Sequence, residues 1–83
     1  MGKYEKIREQ VCSGKSDANV DFTDLCRLVR DLGFKERTKG SHHIFSKTGI
    51  REIINLQPDS NGKAKSYQVR QARSIILHYG LKI

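Results

Sequence analysis

No stretch of the 83-residue chain approaches the roughly 18 consecutive apolar residues that a membrane span requires, and the charged N-terminus lacks the apolar core of a secretion signal. The protein is therefore expected in the cytoplasm. Cysteine is scarce: Cys12 and Cys26 fall in separate helical patterns, without the close C-x-x-C spacing of a zinc knuckle or redox pair, so both read as buried reduced thiols. So short a chain makes one domain with one core and leaves little room for a deep enclosed pocket. Acidic charge thins out after residue 33. Up to that point six basic side chains face six acidic ones, whereas residues 34–83 hold ten against three, so the second part carries the whole net charge of +7. Such a surplus suits a polyanion such as nucleic acid, with a merely solubilising basic surface as the plainer reading.

Tyr4, Ile7 and Val11 form one apolar stripe among charges and predict a short helix over residues 3–12, ended by Ser13-Gly14. Residues 15–19 are polar and read as a loop. Asp21, with Asp24 three positions on, looks like a capping box for a second helix, whose Leu25, Leu28, Val29 and Leu32 keep the helical period until Gly33. The period then falls toward two. Residues 34–38 and Ser41–Lys47 predict two strands about a turn at Lys39-Gly40; after Thr48-Gly49 a third runs from Ile50 to Gln57, with Ile53, Ile54 and Leu56 as its apolar positions. Pro58, the single proline, stops it for want of an N–H. Residues 59–65 predict a mobile loop with Lys63 and Lys65 in solvent. Ser66 then caps a last helix, which Val69, Ala72, Ile76 and Tyr79 carry to about His78 before Gly80. The expected fold is α+β, of order α-α-β-β-β-α, with a three-stranded antiparallel sheet covered by helices on one face.

Candidate chemistry centres on Arg37-Thr38-Lys39-Gly40-Ser41-His42-His43-Ile44-Phe45-Ser46-Lys47. Imidazole titrates near neutrality and suits proton transfer, while the lysines, arginine and serine beside it suit a phosphate. His42 and His43 are neighbours on a strand, so they point to opposite faces and cannot chelate one metal together; no metal or cofactor is expected. In alternation His43 shares its face with Phe45, beside the core, and His78 lies off the apolar stripe of its helix as a surface residue. Ser60-x-x-Lys63 and Lys47-Thr48-Gly49 match fragments of the penicillin-binding signature, an enzyme class that needs a chain several times longer.

Gly40-Ser41-His42-His43-Ile44-Phe45, following a Leu32-Gly33-Phe34 helix exit, resembles the HicA toxins of bacterial type II toxin–antitoxin modules. Asp21-Phe22-Thr23-Asp24-Leu25 and the passage from Asn55-Leu56-Gln57-Pro58 to Tyr67-Gln68-Val69 extend the resemblance over most of the chain. It implies a core like a double-stranded RNA-binding domain over residues 20–83, with residues 1–16 as a helical extension. It further implies endoribonuclease (mRNA interferase) activity on mRNA and neutralisation by a HicB-type antitoxin. The family's single active-site histidine falls on His42. Since RNA supplies its own nucleophile in the 2′-OH, His42 as base needs only cationic help without a metal, from Arg37, Lys39 or Lys47. Gly40, Ser41, Lys63 and Lys65 complete the expected phosphate-binding set. A non-catalytic RNA-binding module is the alternative, and a basic surface that docks an acidic protein is a third.

Overall fold

The computed structural model describes residues 3–82, with side chains from Glu5 onward. Tyr4, expected on the first stripe, has its side chain outside the described residues. The elements are α1 (Lys3–Ser13), a single 3-10 turn at Asp17–Asn19 within the expected loop, α2 (Phe22–Asp31), β1 (Lys35–Lys39), β2 (His42–Ser46), β3 (Ile54–Leu56) and α3 (Ser66–Tyr79). The sheet is an antiparallel meander of order β1-β2-β3. Among the described residues no helix is long and apolar enough to cross a membrane.

The periodic residues expected at the core are there. Leu25, Leu28, Val29 and Leu32 of the α2 region, Val69, Ala72 and Ile76 of α3, and Phe45, Ile54 and Leu56 of the sheet are all buried, in one cluster with Ile7 and Val11. α1 is thus part of the core, packed on α2 and α3. An extension laid outside the domain would leave those two side chains in water.

At the end of α2 the chain turns at Gly33, whose φ of 98° is open to glycine and strained for other residues. A Cβ there would also run into Lys47 Nζ, which donates to the Leu32 carbonyl at 2.7 Å and satisfies a carbonyl left over by the helix end.

Several expected contacts are replaced by tertiary ones. Asp21 occupies the N-cap position of α2, yet its carboxylate makes no capping bond and takes Lys63 Nζ at 2.6 Å instead. Lys65, not Ser66, is the N-cap residue of α3, and its ammonium reaches Gln57 Oε1 at 3.3 Å. The two loop lysines are therefore both engaged. Asp59 Oδ1 accepts from the backbone N–H groups of Asn61 and Lys63, an Asx-turn device that folds the 59–65 loop on itself. The third strand is shorter than the expected 50–57. Adjacent Ile53 and Ile54 cannot both face the core from one strand: Ile54 is buried and Ile53 is 55 % exposed. Of the thiols, both free, Cys26 is buried and Cys12 only partly so.

Candidate functional site

Strand register divides the charged stretch between two faces. Lys35, Arg37 and Lys39 of β1 lie opposite Ser46, Ile44 and His42 of β2, and Asn55 of β3 lies opposite Ile44 on the other side. Directly paired residues share a face, so these form the surface away from Phe45, Ile54 and Leu56. Lys35, Arg37, Lys39, His42 and Asn55 are exposed, and Ile44 is half-buried among them. Lys39, Gly40, His42, Ile44 and Asn55 line a shallow depression of about 400 Å³.

The hairpin that carries His42 closes through a two-residue turn, Gly40-Ser41, between the paired Lys39 and His42. Gly40 has φ 60°, the positive value that tight hairpin turns demand. A Cβ would meet nothing there, so conformation alone asks for glycine. Ser41 Oγ accepts from Gln57 Nε2 at 3.0 Å, and the Gln57 backbone N–H donates to Oε1 of buried Gln68 at 3.0 Å. A hydrogen-bonded chain thus runs from the turn to the first turn of α3.

His42 Nδ1 is 3.1 Å from Asn55 Oδ1. An amide oxygen accepts and cannot donate, so Nδ1 carries a proton, and the ring so held lines the depression. The ring is thereby fixed in tautomer and direction while remaining exposed.

The other predicted residues are divided between the faces. Arg37, Lys39, Gly40 and Ser41 accompany His42 on the open face or its turn. Lys65 lies beside them through Gln57, Lys63 is tied to Asp21, and Lys47 is drawn to the covered side by the Leu32 carbonyl. Hydrogen bonding to Asp21 also raises the pKa of Lys63 above its ordinary value. His43 faces the helices, as alternation with Phe45 requires. Its Nδ1 donates to Glu36 Oε2 at 2.5 Å and its ring meets Phe22 edge-on, with centroids 5.0 Å apart. His78 is exposed at the far end of α3, edge-on to Tyr79. Asn55 and Gln57 were not singled out from sequence as site residues. Asn55 does carry a signal: flanked by apolar Ile54 and Leu56, it must point away from the core, onto the face of His42.

A family model described as the HicA toxin of bacterial toxin–antitoxin systems matches residues 22–78, from α2 to the end of α3. The chain belongs to the HicA toxin family. As a HicA-family protein it is the toxin of a toxin–antitoxin module, and an antitoxin is its implied partner. The match begins after α1, so the core contribution of Ile7 and Val11 is a feature of this HicA chain beyond the matched region. Comparison with curated proteins and with solved structures returns no match.

Proposed function

We propose that this toxin is an endoribonuclease that cleaves mRNA with His42 as its base and is neutralised by a HicB-type antitoxin. The observation that carries the reading is the His42–Asn55 bond on an open, basic sheet face. It leaves a lone pair on Nε2 beside Lys39, with no second histidine on that face.

The chemistry follows from that arrangement. RNA laid across the strands brings a 2′-OH to Nε2; the proton passes to the imidazole as the oxygen attacks phosphorus. The bond to the 5′-oxygen breaks, that oxygen takes a proton from water, the hydroxide so formed takes back the proton held by the imidazole, and a 2′,3′-cyclic phosphate is left. Negative charge accumulating on the phosphoryl oxygens is met by Lys39 and Arg37, and the backbone at Gly40-Ser41 lets a phosphate approach the turn closely. Lys63 and Lys65 serve phosphates further along the strand. Lys47, held at the Leu32 carbonyl, is left out of this reading. A positioned base contributes about 10² to 10⁴ in rate, which suits a slow enzyme.

The purified chain incubated with unstructured RNA should yield cyclic-phosphate fragments equally with and without EDTA. His42→Ala should lower the rate by about 10² to 10⁴-fold with unchanged circular dichroism. Intact RNA bound with a steep salt dependence would instead identify a non-catalytic RNA-binding module using the same face.

A further inference from the structure

On the side of the sheet away from His42 a thiol, a carboxylate and an imidazole converge. Cys26 comes from α2, Glu36 from β1 and His43 from β2, and their donor atoms all lie within 4.8 Å of one another. Cys26 is 2 % exposed, and the Glu36 and His43 side chains are 21 % and 30 % exposed. The proposed RNA chemistry uses none of them. We propose that Cys26, Glu36 and His43 bind a single divalent transition-metal ion of the zinc type, which joins α2 to the β1–β2 hairpin.

The donor set argues for the ion class. Thiolate and imidazole select zinc and its neighbours over magnesium and calcium, which take oxygen ligands. Three protein donors with water in the fourth position make a tetrahedron whose ligand atoms sit about 3.5 Å apart. The three atoms lie within 4.8 Å of one another, and the Glu36–His43 pair at 2.5 Å has to open by about 1 Å to reach that spacing, which rotation of the Glu36 side chain supplies. Arg30 Nε donates to Glu36 Oε1 at 3.0 Å. Oε2 therefore remains for the ion, and Arg30 orients the carboxylate as an outer partner.

Charge agrees as well, since a dication cancels one thiolate and one carboxylate in a half-buried place. On binding, the Cys26 proton is released to solvent, and the proton that His43 Nδ1 shares with Glu36 is exchanged through water to Nε2, which frees the Nδ1 lone pair for the metal. Burial, helped by the Glu36 carboxylate, pushes the Cys26 thiol up to about 12. Sequence spacing hides this set, because its members lie on three elements and it takes only one of the two adjacent histidines.

Cobalt(II) titrated into the metal-free full-length chain tests the site. One equivalent should bind with a thiolate-to-cobalt charge-transfer band and tetrahedral visible bands, be displaced by zinc, and raise Tm. Cys26→Ala should lose the charge-transfer band and Cys12→Ser should keep it, while Arg30→Ala weakens zinc binding about 10 to 100-fold. Glu36→Gln, followed by circular dichroism, gives a second reading if Cys26→Ala fails to fold: at least tenfold weaker zinc binding is expected. No cobalt band in the parent chain, a band that survives Cys26→Ala, or unaltered zinc affinity in Glu36→Gln overturns the proposal. RNA cleavage in EDTA is a separate readout, so either proposal can fail without the other.

Discussion

His42 and His43 adjoin in sequence and part at the sheet, and the partner of each decides what it can do. His43 meets a carboxylate, whereas His42 meets the neutral carbonyl oxygen of Asn55. A carboxylate would favour the imidazolium, whereas an amide adds no charge, which is what the proposed role of His42 as a base asks for. Asn55→Leu should accordingly cut cleavage about tenfold, less than loss of the ring itself. Asn55→Asp should move the acidic limb of the pH–rate profile to higher pH, because a carboxylate at the same place raises the pKa of His42. Unshifted profiles in both variants would show that Asn55 only holds strand β3. Alternation told that the two histidines face opposite ways and that His43 shares the face of Phe45; which of the two faces is covered is shown only by the burial of Phe45 against the helices. The partners were not legible because Asn55 is thirteen residues from His42 and comes opposite the hairpin only through the β2–β3 register.

At the scale of elements, the sequence was most informative where one face of a helix had to be apolar throughout. α2 and α3 are where period and glycine stops put them, and their expected core residues are buried apart from Tyr79, which is half-buried. β3 was overestimated because local alternation cannot say where strand pairing ends. The segment before it is held from outside the sheet: Tyr79 Oη donates to Glu52 Oε1 at 2.6 Å and fixes the end of α3 to the chain after the Thr48-Gly49 turn. That bond pulls the Glu52 carboxyl below its ordinary 4.5 and pushes the Tyr79 phenol above its ordinary 10.0. A lowered carboxyl stabilises the fold above its unfolded pKa and loses that effect as pH falls through the folded one. A raised phenol stabilises below its unfolded pKa and loses that effect as pH rises through the folded one. The Tm difference between the parent chain and Tyr79→Phe should thus be greatest near neutrality and shrink toward both acid and alkali; a gap of constant size across the range would assign the loss to packing alone. For α1 the sequence showed a stripe but not what it touches. With Val11 fully buried, Val11→Ala should cost about 2 kcal/mol and lower Tm by roughly 8 °C or more. Unchanged thermal unfolding would return α1 to the status of a detachable extension.

At the scale of the whole molecule, the open sheet face carries an exposed row of positive charge. The net +7 arises entirely after residue 33, and β1 sets Lys35, Arg37 and Lys39 in an exposed row beside His42. His42, Lys39 and Asn55 are exposed, so on the proposed reading substrate would enter freely and restraint would fall to the antitoxin. An acidic antitoxin laid over this face would block RNA and be drawn in by the same field. The two ligands should then compete. Because complementary potentials act mainly on association rate, and screening at 0.15 M salt confines exposed charges to a reach of about 8 Å, complex formation should slow markedly between low and physiological salt while dissociation changes little. The competition can be measured by titrating antitoxin against labelled RNA bound to the full-length His42→Ala chain, which keeps the cationic row and does not consume the probe. Release of RNA in step with antitoxin binding is the expected result. A ternary complex, with RNA retained while the antitoxin is bound, would move the inhibitory contact away from the sheet face, and the α1 side of the core would become the surface to probe.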